Sequence, residues 1–156
     1  MSASNRYICF RLGDEEFAIP LLAVREVIGV PSVTPVPQTP SYFLGIMNLR
    51  GLVISVMDLR LKMNIKGQDS SESTVIILDL GDYNLGVLVD EVISVVAIDD
   101  KSLGQKPQVD SSKMADAIRG VFRKDEKLVL ILDIAKALSV EDRSALTKNP
   151  GFEKAS

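Results

Sequence analysis

The 156-residue chain is 46% hydrophobic and 25% charged, the ordinary range of one soluble globular unit, which argues against disorder and against a fibrous repeat. Its 18 Lys and Arg are scattered among 21 Asp and Glu for a net charge of -3, so nucleic acid is not expected as the main ligand: phosphate binding needs a concentrated positive surface. There is no histidine, which excludes a Ser-His-Asp triad, a Cys-His dyad and a histidine-ligated zinc, and leaves carboxylate pairs or a Ser-Lys arrangement as formal possibilities.

The opening residues MSASNRYICF have neither the basic start nor the apolar run of a secretory signal, and no apolar run approaches the roughly 20 residues of a membrane span, so a cytosolic protein is expected. Residues 7–12, YICFRL, read as a strand running into the turn Gly13-Asp14, with EEFAIP as the return strand. Cys9 alternates with Ile8 and Phe10 there, and as the only cysteine it reads as a small buried hydrophobe. LLAVREVI reads as about two helical turns, with Pro20 suited to a first helical position. Pro31, Pro35, Pro37 and Pro40 then make VTPVP an edge strand or an extended loop. Thr39-Pro40 resembles an N-cap and first helical residue, and Gly45 is placed to end that short turn of helix. LVISVMDL has the length and β-branched content of a buried strand, with Ser55 a hydrogen-bonded core serine that lacks an activating base.

The polar stretch 66–73, KGQDSSES, reads as an exposed loop, and after it the pattern begins again. Leu12-Gly13-Asp14 recurs as Leu80-Gly81-Asp82, and Glu26-Val27-Ile28 as Glu91-Val92-Ile93. Gly45 lies 13 positions before Asp58 and Gly120 lies 13 before Asp133, with LVISVMDL matched by KLVLILDI. In this alignment the second copy is three residues shorter between its Asp and Glu and ten longer between its Glu and Gly. Halves of about 60 residues are marginal alone, and closure removes exposed strand edges. The expected architecture is therefore all-β with short helices: two small barrels, residues 6–65 and 74–138, packed across an apolar interface, with 139–156 a short helix or tail.

No glycine-rich phosphate cradle is present, and the acidic clusters Asp14-Glu15-Glu16 and Asp99-Asp100 are explained by turn chemistry as simply as by a metal. Asn48-Leu49-Arg50-Gly51 is different. It lies between two apolar runs, and its repeat counterpart, Arg123-Lys124-Asp125-Glu126, is a plain solvated turn. Two readings stand. In one, Arg50 neutralises a nearby carboxylate, with Glu26 the candidate, and Gly51 permits a positive φ at a bulge or turn. In the other, the knot belongs to a protein-docking surface, where arginine is enriched.

From Tyr7 to Leu138 the chain resembles the CheW adaptor family of bacterial chemotaxis. The resemblance is carried by LGDEEFAIPLLAVREVIG, by VTPVPQTPSYFLG, by LGDYNLGVLVDEVISVV and above all by GIMNLRGLVISVMDLRLKM, which resembles the family signature Gly-x-x-Asn-Leu-Arg-Gly followed by an apolar strand and Asp-Leu-Arg. Ser55 stands where that strand usually carries proline. The resemblance implies a single CheW-like domain of two five-stranded β-barrels related by a pseudo-twofold, sharing a core, non-catalytic and without cofactor or metal. It implies an adaptor that couples the cytoplasmic tips of chemoreceptors to the regulatory domain of a CheA-type histidine kinase, cytoplasmic and recruited to membrane-associated receptor arrays. Nucleic-acid binding and membrane insertion are not implied. Carried over to this chain, the candidate protein-binding residues are Val24, Glu26, Val27, Gly45, Asn48, Leu49 and Arg50. The same fold serving a surface-motility or developmental pathway is the alternative, and an enzyme using carboxylates or Ser55 is a further one.

Overall fold

The computed structural model describes residues 6–66, 73–81, 83–99, 117–139 and 142–143. In chain order the strands are β1 Arg6–Leu12, β2 Glu15–Pro20, β3 Val24–Gly29, β4 Phe43–Leu49, β5 Leu52–Asp58, β6 Thr74–Asp79, β7 Asn84–Val89, β8 Glu91–Ala97, β9 Ile118–Lys124 and β10 Lys127–Leu132. Two four-residue helices, α1 Leu59–Lys62 and α2 Ile134–Ala137, follow β5 and β10. The strands form two five-stranded sheets of order β8-β1-β2-β10-β9 and β3-β6-β7-β5-β4.

These orders are the same path traced in two copies, and they exchange parts between them. The hairpin β1-β2 joins the last three strands of the second copy, and β6-β7 joins the last three of the first. The segments 6–65 and 74–138 are thus sequence repeats, but neither builds a sheet by itself. The exchange places each hairpin at the centre of a sheet, which is why β7, NLGVLV, is buried along its whole length.

The packing has three layers of apolar contact. Ile8, Phe10 and Leu12 of β1 meet Ile76 and Leu78 of β6 and Leu85, Val87 and Val89 of β7 in a core shared by both sheets. The opposite faces have cores of their own: Cys9, Ala18, Phe122, Val129 and Ile131 in one, and Met47, Ile54, Val56, Val75 and Ile77 in the other. Period-2 alternation sends neighbours on one strand to different cores.

The expected barrels do not close through backbone pairing: β8 and β9 are the two edges of one sheet, and β3 and β4 of the other. Side chains bring these edges together instead. Ile28 of β3 packs on the same cluster as Met47 and Leu49 of β4, and Lys124 of β9 donates to Ser94 Oγ of β8 at 3.3 Å. The outer edge of β4 is covered by the proline-rich segment, where Thr34 and Ile46 exchange backbone hydrogen bonds of 2.8 and 2.9 Å.

LLAVREVI is not a helix. Leu21–Ala23 form one 3₁₀ turn and Val24–Gly29 form β3, antiparallel to β6. Three β-branched residues and an open edge on β6 outweigh an apolar spacing that also fits a helix. The turn expected at Thr39-Pro40 is a hydrogen-bonded turn, Phe43 N–H to Pro40 O at 3.0 Å, with no helix for Gly45 to end. The loop 66–73 and the tail 139–156 fall almost wholly outside the described residues.

The repeat alignment also shifts. Val24 opposite Leu78 and Glu26 opposite Ile77 are matched by Val92 opposite Phe10 and Ser94 opposite Cys9, with the same register irregularity between them. Glu26 is therefore equivalent to Ser94, not to Glu91, and the three-residue shortening disappears.

Candidate functional site

The Asn-Leu-Arg-Gly knot is the turn of the β4-β5 hairpin. Leu49 pairs with Leu52, leaving Arg50 at φ 52° and Gly51 at φ 88° as a two-residue loop, and Asn48 Oδ1 accepts the Gly51 N–H at 2.8 Å. Positive φ at both positions matches the right-handed twist of the flanking strands. The β9-β10 turn has the same form, with Asp125 at φ 49° and Glu126 at φ 68°. The backbone of the knot is thus common to both copies, and what is particular to the first is its side chains.

Arg50 donates to the Glu26 carboxylate, the partner the sequence nominates. The pair links the end of β4 to β3, the opposite edge of the same sheet. Its side chains are 70% and 32% exposed, so screening leaves a contribution of only about 0–1 kcal/mol. The ion pair therefore brings Arg50 and Glu26 to one rim, although they come from opposite edges. Val27 is exposed on β3 and Val24, Glu26 and Leu49 are half-buried. Gly45 does not belong to this surface: it is buried in β4 at φ 144°, with the Thr34–Pro35 backbone lying where a Cβ would go.

The Asp-Leu-Arg that follows β5 is an internal ionic brace. Arg60 reaches both oxygens of Asp58, from Nε at 3.0 Å and from its terminal nitrogen at 2.9 Å, and gives its other nitrogen to Asp90 at 2.8 Å. Asp90 also accepts the Gly13 N–H at 2.6 Å, and Arg11 lies 3.8 Å away. One guanidinium so ties α1, the β1-β2 turn and the β7-β8 turn together. A second knot holds Ser139 and Asp142: Asp142 accepts from the Tyr42 hydroxyl, from Lys62 Nζ at 2.7 Å and from the Ser139 N–H at 3.0 Å. Burial alone would raise the Asp142 carboxyl, but these three bonds outweigh it and hold it below its ordinary value. Burial and the Asp142 charge both raise the Tyr42 hydroxyl, while Lys62 ends up raised because its carboxylate partner outweighs its burial. Neither network is visible in local sequence, since Arg60 lies 30 positions from Asp90, and Asp142 lies 80 from Lys62 and 100 from Tyr42.

A groove of about 220 Å³ lies between the sheets, with Ile19, Leu78, Leu80, Leu132 and Ile134 as apolar walls and Asp79, Asp133 and Arg119 as its charged members. Its lining contains no serine, cysteine, lysine or tyrosine, and both carboxylates serve as local caps, Asp79 for Gly81 N–H and Asp133 for Lys136 N–H. Ser55 is 2% exposed inside β5, and Cys9 is fully buried, its thiol pushed up by that burial. Among the described residues no group of His, Cys, Asp and Glu could hold a metal ion, and no helix is long and apolar enough to cross a membrane.

Against known proteins, the CheW-like domain model matches residues 6–142. The chain belongs to the CheW-like domain family. It is 31% identical over 145 residues to the chemotaxis protein CheW of Rhizobium meliloti, covering 92% of this chain and 94% of that protein. The crystal structure of the scaffolding protein TtCheW from Thermoanaerobacter tengcongensis superposes with a TM-score of 0.82 at 31% identity, over 92% of this chain and 99% of that one. Protein FrzA of Myxococcus xanthus is 27% identical over 148 residues, 92% of this chain and 91% of its own.

Proposed function

We propose that this chain is a non-catalytic chemotaxis adaptor, cytoplasmic and recruited to membrane-associated arrays, that couples chemoreceptor tips to a CheA-type histidine kinase. The observation that carries this reading is family membership along residues 6–142, joined to a fold whose conspicuous polar groups are engaged in caps, ion pairs and internal braces. Exposed apolar residues support docking on both sheets at equivalent positions: Val27 and Val53 on one, Val95 and Leu128 on the other. The rim formed by Val24, Glu26, Val27, Asn48, Leu49 and Arg50 is the proposed partner surface, with Gly45 shaping the strand beneath it. The mechanism is conformational coupling: the adaptor's effect on the kinase equals the difference in its binding free energy for the active and inactive arrangements.

The test is kinase autophosphorylation reconstituted with receptor, with and without this protein, alongside direct binding to the kinase. No change in kinase output together with no measurable binding would defeat the proposal. The second reading, the same adaptor serving a non-flagellar pathway, is favoured by the likeness to FrzA. Pull-downs against candidate receptors and kinases of the source organism distinguish the two.

A further inference from the structure

The two copies share one backbone plan, so each site has an internal counterpart. In the first copy Asp58 caps α1 and seats the guanidinium of Arg60 on both its oxygens. In the second, Asp133 caps α2 through the Lys136 N–H, and the residue in the place of Arg60 is Ala135. By the same strand register Leu22 stands where the other side has Asp90, and Asp79 where it has Arg11. The groove described above is what remains when that arginine is taken away: Asp133 and Ala135 both line it, with Asp79 beside them.

We propose that this groove seats an arginine side chain presented by a docking protein partner. Asp133 Oδ1 accepts the Lys136 N–H, and its Oδ2 makes no hydrogen bond among the described residues, which leaves an acceptor for a guanidinium. Leu78, Leu132 and Ile134 offer walls for the aliphatic stem, which buries readily while its head stays on the carboxylates. Arg119 lines the groove but makes no ion pair among the described residues, so two carboxylates stand against one guanidinium and the groove is net negative. A planar fork fits such a pair better than an ammonium point charge. The proposal rests on the groove being a protein-docking surface of the adaptor. Its test uses no kinase or receptor, so its failure leaves the adaptor reading standing.

The full chain is titrated with N-acetyl-arginine amide, N-acetyl-lysine amide and the neutral isostere N-acetyl-citrulline amide, followed by methyl NMR. Saturable shifts at Leu78, Leu132 and Ile134 are expected with arginine, at an affinity about tenfold above citrulline, the effect of one charge-assisted hydrogen bond. Asp133→Asn should lose that tenfold, and Asp79→Asn, on an exposed residue, supplies the same comparison should Asp133→Asn unfold. Ala135→Arg should fill the seat from within, abolish probe binding and raise the melting temperature. Equal response to arginine and citrulline overturns the proposal, as does the absence of shifts at these methyls. Binding that emerges only after Arg119→Gln also overturns it, by making Arg119 the occupant.

Discussion

Replacing Arg60 by Met removes one guanidinium, leaving Asp58 without a counter-charge among the described residues and Asp90 with only Arg11, 3.8 Å away. Asp58 and Asp90 are 6% and 1% exposed, and together they accept three of its side-chain bonds between 2.8 and 3.0 Å. Breaking a buried pair by deleting one partner costs about 3–5 kcal/mol, because the surviving charge stays desolvated. With roughly 2–4 °C per kcal/mol for a chain of this size, the melting temperature should fall by about 6–20 °C. The loss does not measure the net worth of the brace, since replacing all its charges by apolar groups can be neutral. Arg60→Met combined with Asp90→Asn should therefore be more stable than Arg60→Met alone: the amide oxygen keeps the bond from Gly13 N–H, and a buried charge left with only the distant Arg11 is gone. Urea denaturation of the wild type, the single variants and the pair supplies the cycle. A cost below about 1 kcal/mol for Arg60→Met, or a pair no better than the single, would refute the account of Arg60 as the counter-charge of both carboxylates.

Arg50→Ala should leave the thermal transition within about 1 kcal/mol of the wild type, because its ion pair is largely exposed, and should abolish receptor or kinase binding; a loosened fold would instead make Arg50 an internal partner. Gly45→Ala and Gly51→Ala should separate two kinds of glycine. Gly51 meets open space and risks only the strain of positive φ, about 1–2 kcal/mol, whereas a Cβ at Gly45 would run into the Thr34 backbone and should prevent folding or displace the proline-rich segment, as proteolysis there would report. The Asp142 knot predicts a pH dependence of fixed sign. A carboxyl held below its unfolded value contributes stability that is present above about pH 4 and is lost as pH falls through the lowered folded value. Asp142→Asn should flatten the stability curve in that acid window, read from urea midpoints between pH 2 and 5; an unchanged slope would contradict it. At the alkaline end, the raised Lys62 and Tyr42 should hold the knot up to about pH 10 and release it above.

Much of this was legible in the chain. The Gly-Asp turns marked both central hairpins, the β-branched runs marked β5 and β10, and the repeat foretold two equivalent β units, read as closed barrels where the structure has open sheets. Glu26 was named from the sequence as the partner of Arg50. What escaped depends on distant neighbours. LLAVREVI carries an apolar spacing compatible with helix or strand, and the open edge of β6 decided between them. The tripeptide Glu-Val-Ile occurs in both copies, and its identity drew the alignment three residues from the true register, where Glu26 matches Ser94. The exchange of hairpins leaves no local trace, because a strand's periodicity reports its buried faces and not its ladder partner. Gly45 read as a helix terminator for the same reason: the segment it accommodates, Thr34-Pro35, reaches it only in three dimensions.

The duplication also explains how one small fold can offer unlike surfaces. Both sheets expose an apolar pair at matching positions, Val27 with Val53 and Val95 with Leu128, so the backbone supplies two related surfaces. Between the sheets the copies differ. One side is closed by Arg60, Asp58 and Asp90, and the other is left as a groove with Ala135 in place of the arginine. Filling both sides would add rigidity but leave nowhere for a partner to enter, and emptying both would leave α1 and two turns without their tie. A chain that works by coupling must bind its partners unequally in their different states, which requires distinguishable contacts on a frame that does not itself give way. The asymmetry around the pseudo-twofold provides both, with the braced side as frame and the open side as contact.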